Sequence, residues 1–243
     1  MKRAIFDKVL DWRREKAAFA LVTDLGSGAQ ALVREGKAEG ELTLGDATVG
    51  AVGQAVRQDR SGPVEDAAEG TLFVHVFNPP LRMLVVGAVH VTQPLAAMAE
   101  RAGYEVTVID PRRAWATEAR FPGVTMVDTW PDEAMRDLAP DARTAVITLT
   151  HDPKLDDPAL QEALRSEAFY VGCLGSRRTH AKRLDRLREA GFGDDDFARI
   201  HGPVGLSIGA KSPAEIAVSI LAEVVQVYRQ GAAEPKPALR KSA

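Results

Sequence analysis

Leu84-Val85-Val86-Gly87-Ala88-Val89-His90-Val91 is the stretch that decides the fold. A short apolar run ending in glycine suits a strand buried on both faces of a parallel sheet. A helix predicted over residues 92–102 follows, with Pro94 in its first turn and Gly103 placed to stop it. Downstream, the pattern keeps alternating. Strands are predicted at 105–109, 124–127, 144–149 and 168–174, and helices at 132–138, 158–166 and 176–190. The last helix spans 213–230, where Ser212 and Glu215 have the spacing of a capping box around Pro213. Repeated β–α units predict an α/β fold with a Rossmann-like doubly wound parallel sheet over 81–230. Its ligands are expected beyond the carboxyl ends of the strands.

Upstream, the reading gives a smaller α+β N-terminal domain over 1–78. An amphipathic helix (Ile5, Val9, Leu10, Trp12, Ala17) precedes strands at 18–23 and 30–34, which flank the turn Gly26-Ser27-Gly28. Residues 40–55 fit neither periodicity well, and 58–69 read as an exposed connection. Leu72, Val74 and Val76 alternate with Phe73, His75 and Phe77 in a strand over 71–77 that Asn78-Pro79-Pro80 breaks, which sets the domain boundary. The tail, 231–243, reads as disordered.

The composition is that of an ordinary globular protein, 45% apolar and 27% charged over 243 residues. Thirty-one Lys and Arg face 34 Asp and Glu, a net charge of -3 that gives no reason to expect nucleic acid or a membrane surface. The first twenty residues carry charges throughout, unlike a signal peptide, and no uncharged run approaches the roughly 20 residues of a bilayer span. A cytoplasmic protein is expected. Cys173, the only cysteine, can form no intrachain disulfide, and no cysteine cluster offers a zinc site.

The strand-to-helix turns carry the candidate chemistry. Gly87 supplies the first glycine of a dinucleotide turn, but Val89 and Thr92 stand where the second and third belong. Asp110 lies 23 positions after Gly87, where a carboxylate commonly holds a ribose hydroxyl, and Arg112 and Arg113 follow it. Thr150, His151 and Asp152 close the fourth strand. His151 and Asp152 read either as an acid–base or ligand pair or as a surface histidine beside a turn cap. Gly172-Cys173-Leu174-Gly175-Ser176-Arg177-Arg178 runs from a strand into a helix and makes a good anion site. Arginines at a helix N-terminus would lower the Cys173 pKa if the thiol were exposed; otherwise it is a small buried hydrophobe. His201, Gly205, Gly209, Lys211 and Ser212 precede the last helix as a second candidate cradle. No nucleophile with a matching base is found.

Taken together, these turns resemble the xanthine dehydrogenase accessory proteins of the XdhC/CoxI type. The resemblance rests on residues 84–91, Phe121-Pro122, Leu149-Thr150-His151-Asp152 with Asp156, and Tyr170-Val171-Gly172 with Leu174-Gly175-Ser176-Arg177-Arg178. It continues through residues 199–206, Ile208-Gly209-Ala210, Ser212-Pro213 and Glu215-Ile216-Ala217. It implies a chaperone rather than a turnover enzyme, one that binds the molybdenum cofactor (molybdopterin) and assists its sulfuration and insertion into a molybdenum hydroxylase. The implied partners are the apo molybdenum hydroxylase and a cysteine desulfurase, and a homodimer is the base-rate expectation. By this resemblance the cofactor-binding set is Gly87, His90, Asp110, Arg112, Thr150, His151, Asp152, Gly172, Cys173, Gly175, Ser176, Arg177, Arg178, His201, Gly205, Gly209, Lys211 and Ser212. His90 belongs to the family's Gly-Ala-Gly-His turn, in which Val89 has replaced a glycine.

A second departure lies in the N-terminal domain. Family members usually carry a Gly-Gly-Cys motif there, whereas residues 44–55 hold Gly45, Gly50 and Gly53 but no cysteine. Either Cys173 contacts molybdenum or sulfur in its place, or the cofactor is held without a thiolate, or the chain has another role. The rival readings are an NAD(P)-binding oxidoreductase, against which Val89 argues, and an assembly factor that touches no cofactor.

Overall fold

The computed structural model describes residues 2–66, 70–112, 114, 115 and 117–230. It divides into two compact units, Met1–Pro79 and Pro80–Ala243, at the proline pair that the sequence marks. The expected disordered tail and Arg113 lie outside the described residues.

In the first unit, α1 (Arg3–Arg14), β1 (Phe19–Asp24), β2 (Gln30–Arg34), β3 (Lys37–Gly40), α2 (Asp46–Arg57), β4 (Gly62–Asp66) and β5 (Gly70–Phe77) build an antiparallel sheet in the order β3-β2-β1-β5-β4. Alternation along β1 sends Phe19 and Leu21 towards α1 and its Val9, and Ala20 and Val22 towards α2 and its Val52. A helix on each face explains why β1 is apolar throughout rather than at every second position. Residues 40–55, which fit no pattern, hold most of α2. Gly50 and Gly53 blur the apolar stripe, but Val49, Val52 and Val56 still face the sheet. The connection expected at 58–69 holds β4 instead, an edge strand paired only to β5, and the fully exposed β3 is the other edge.

The second unit contains β6 (Leu81–Val86), α3 (Thr92–Arg101), β7 (Tyr104–Ile109), β8 (Thr125–Val127), α4 (Pro131–Leu138) and β9 (Thr144–Thr148). These are followed by α5 (Pro153–Arg165), β10 (Tyr170–Cys173), α6 (Arg177–Glu189), α7 (Asp194–Ala198), β11 (Ile200–His201) and α8 (Pro213–Gln230). Every strand pair is parallel, in the order β11-β10-β9-β6-β7-β8. That order reverses between β6 and β9, the crevice where doubly wound sheets bind ligands. Met83 and Val85 face α3 and α8; Leu84 and Val86 face α4 and α5. Burial on both faces accounts for the continuous apolar run that marks β6 in the sequence.

The largest difference from the expected elements is at α5. α5 begins at Pro153 rather than Pro158, because Asp152 caps it by accepting from the Lys154 N–H at 3.0 Å and Pro153 fills the first helical position. Pro158 sits inside the helix; the carbonyl it leaves without a donor is that of exposed Lys154. The short α7 and the two-residue β11 are too brief to show a period, so the sequence does not predict them.

Candidate functional site

The turn after β6 is held from below. Gly87 has φ +111°, and a Cβ there would lie 2.5 Å from Thr150 Cγ2, so the β6 and β9 turns touch only because this position is bare. Thr92 Oγ1 donates to the Gly87 carbonyl at 2.5 Å, and Arg120 donates to the Ala88 carbonyl at 2.8 Å. Val89 packs against the core, and His90 is exposed.

Asp110 corrects the dinucleotide expectation. Its side chain is fully buried and already occupied: it accepts from the Ala88 N–H at 2.8 Å, the Arg112 N–H at 3.0 Å, and Arg112 Nε and Nη2, each at 2.8 Å. Burial raises the carboxyl's pKa, but the Arg112 fork and the two amides outweigh it and hold the group below its ordinary value. A ribose hydroxyl would find no lone pair facing outward. Arg112 is equally engaged and lies beside exposed Trp115, with Arg120 against the same ring.

The β9 turn is organised by Asp156, a residue to which the sequence alone assigns no role. Its buried carboxylate accepts from Thr150 Oγ1 at 2.6 Å and from the His151 N–H at 3.0 Å. Desolvation pushes its pKa up despite those bonds and despite Arg183 Nη2 at 3.6 Å. His151 takes the left-handed conformation at φ +63° and is exposed, while Asp152 caps α5. The turn-cap reading therefore fits Asp152 better than an acid–base pair does.

After β10, Ser176 caps α6 by accepting from the Thr179 N–H at 3.1 Å, beside Gly175. Arg177 and Arg178 are exposed. Gly172 is buried within β10, between the Tyr170 ring and Val204, and presents no surface. Cys173 is also fully buried, accepting from Arg183 Nη1 at 3.1 Å with His180 Nδ1 at 3.7 Å. Burial pushes its thiol up to about 11, because desolvation outweighs Arg183. The condition for a reactive thiol, exposure beside the arginines, is not met, so a Cys173 contact to molybdenum or sulfur lacks an accessible sulfur.

The last cradle turns inward. The Gly205 N–H donates to Glu223 Oε2 at 2.7 Å, and Tyr170 OH donates to the same oxygen at 2.6 Å. His201 stacks on Tyr170 at 4.5 Å, with its Nδ1 3.6 Å from Glu223 Oε1. At the start of α8, the Lys211 and Ser212 N–H groups donate to the Glu215 carboxylate at 2.8 and 2.9 Å, and the Glu215 N–H donates back to Ser212 Oγ at 3.2 Å. The capping box is as the spacing indicated, but its carboxylate occupies the amides an anion would use. Gly209 and the Lys211 side chain are exposed.

A cleft of about 290 Å³ stays open between α5 and α6, walled by His151, Pro153, Asp156, Arg178, Thr179, Lys182, Arg183 and Arg186. Arg178, Lys182 and Arg186 lie four residues apart along α6, on one helical face. That spacing is visible in the sequence, but the sequence reading stops at the cations of the helix start. Arg183, which it misses entirely, is 1% exposed and joins the β9 and β10 turns through Asp156 and the Leu174 carbonyl.

Residues 83–224 match the family model of the XdhC Rossmann domain. The chain is 33% identical over 151 residues to the molybdenum cofactor insertion chaperone PaoD of Escherichia coli, covering 62% of this chain and 41% of that protein. It is 31% identical over 160 residues to a probable xanthine dehydrogenase subunit of Bacillus subtilis, covering 65% of this chain and 46% of that one. This chain thus spans less than half the length of either relative. A solved structure described as a xanthine dehydrogenase from Bacillus halodurans superposes with a TM-score of 0.73 at 26% identity, over 94% of this chain and 67% of that one. A match of this extent, on a sheet of this strand order, establishes that the chain belongs to the XdhC Rossmann-domain family.

Proposed function

We propose that this chain is an accessory protein that binds the molybdenum cofactor and assists its sulfuration and insertion into a xanthine dehydrogenase-type hydroxylase, with a cysteine desulfurase as the sulfur source. The observation that carries the reading is the state of the sheet's carboxyl edge. Asp110, the residue a dinucleotide would need, is sealed by Arg112, while the α5–α6 cleft keeps cations facing out. That combination disfavours NAD(P) and suits a ligand gripped by a phosphate.

Molybdopterin is such a ligand: its dithiolene would hold molybdenum, and the metal would supply the redox chemistry of the client enzyme. Arg178 and Lys182 fit its phosphate end. Cys173, buried beneath Arg183, offers no thiolate to the metal end, so the chain would hold the cofactor without a protein sulfur ligand. Its part is then to bind, orient and shield, and no turnover step is assigned to it.

The test is reconstitution. Apo-hydroxylase supplied with molybdopterin, molybdate, a cysteine desulfurase with cysteine, and this chain should gain activity faster than the same mixture without the chain, and Arg178→Ala with Lys182→Ala should remove the advantage. Equal activation with and without the chain would contradict the proposal. Capture of the apo-hydroxylase with no cofactor transfer would favour the cofactor-free assembly factor instead.

A further inference from the structure

The α5–α6 cleft contains more charge than its own ion pairs consume. Arg183 is matched by Asp156 at 3.6 Å, and Arg186 by Asp157, whose Oδ1 accepts from Nη2 at 2.9 Å. The side chains of Arg178 and Lys182 have no hydrogen bond or ion pair among the described residues; Lys182 takes part only through its carbonyl, which accepts from Arg186 Nη1 at 3.2 Å. The wall therefore carries two uncompensated positive charges, one helical turn apart.

A second observation is independent of that balance. Arg183 Nε is buried without a hydrogen-bond partner, although the same guanidinium donates to Cys173 Sγ and the Leu174 carbonyl. A buried N–H donor left unpaired costs free energy that a bound acceptor restores. This one belongs to a side chain in the cleft wall, under the first turns of the 13-residue helix α6. Helix polarity there adds to the attraction for an anion.

We propose that the cleft is a subsite for a phosphomonoester dianion. Two free cations match its charge, whereas a carboxylate would leave one of them unbalanced. A volume of about 290 Å³ lies at the small end of ligand sites, enough for a phosphate and its first linking atoms. The ring system of a larger ligand then lies outside the cleft. The proposal deepens the cofactor reading by naming which end of molybdopterin the chain grips, and it rests on that reading only for the identity of the natural ligand.

Calorimetric titration of the intact chain with inorganic phosphate and with adenosine monophosphate tests it. Saturable one-to-one binding of both is expected, weakened at least tenfold (about 1.4 kcal/mol) by Arg178→Ala with Lys182→Ala at an unchanged melting temperature. Arg188→Ala, on α6 but outside the cleft, should bind as the parent does. Arg178→Gln with Lys182→Gln, which keeps long helix-favouring side chains, repeats the test if the alanine pair fails to fold. Absence of saturable binding at millimolar phosphate, or affinity that either double variant leaves intact, overturns the proposal. Molybdopterin binding that survives the substitutions at full strength overturns the subsite while the cofactor reading stands. Phosphate binding that depends on both cations supports the subsite even if molybdopterin itself fails to bind.

Discussion

At the scale of single residues, the carboxyl edge is governed by groups whose hydrogen bonds are already made. Asp110 is the sharpest case. Replacing it by Ala strands the buried Ala88 N–H and releases the Arg112 fork, an expected loss of about 1–3 kcal/mol in chemical denaturation. Because the folded carboxyl lies below its ordinary value of 3.8, its contribution is present above that pH and is lost as pH falls through the folded pKa. The advantage of the parent over Asp110→Asn should therefore be full near neutrality and fade in acid; a constant difference across that range would count against the assignment. Cys173 behaves in the opposite way. Buried and pushed up to about 11, it should resist alkylation in the native chain at about pH 8 and react on unfolding, as mass spectrometry can read. Rapid native labelling would reopen the sulfur role.

Among the elements, the legible ones are those whose apolar period is long or whose ends are chemically marked. β6 and α8 can be placed within a residue because the first carries the apolar run over residues 83–86 up to Gly87 and the second opens with Ser212, Pro213 and Glu215. α2 is hidden by its glycines, β3 by having no buried side, and β11 by its length of two residues. The candidate site is legible as a set of turns, but not in which of them remain open. That depends on tertiary partners such as Glu223 and Arg183, which no local spacing reveals. The contact between the β6 and β9 turns gives a prediction at this scale. Gly87→Ala forces a Cβ into Thr150 at a positive φ and should cost about 1–3 kcal/mol, read as a lower denaturation midpoint. An unchanged midpoint would mean that the two turns do not meet.

Over the whole molecule, each unit has its own apolar core. The first is built from Phe19, Leu21, Val52 and Val74, and the second from Met83, Val85, Leu160 and Ile220 among others. A chain comprising residues 80–230 should consequently unfold in one cooperative transition by itself; a broad, non-cooperative melt would show that the division at Pro79 is not a folding boundary. The first unit holds no cysteine, and the single thiol is buried in the second. On the proposed function, cofactor capture would fall to the cationic cleft rather than to a sulfur ligand. Equilibrium dialysis of the intact chain against molybdopterin, read by fluorescence of the oxidised pterin, measures that claim directly. About one pterin per chain is expected, with at least a tenfold loss of affinity in Arg178→Ala with Lys182→Ala; no retained pterin in the parent chain would contradict cofactor capture by the cleft.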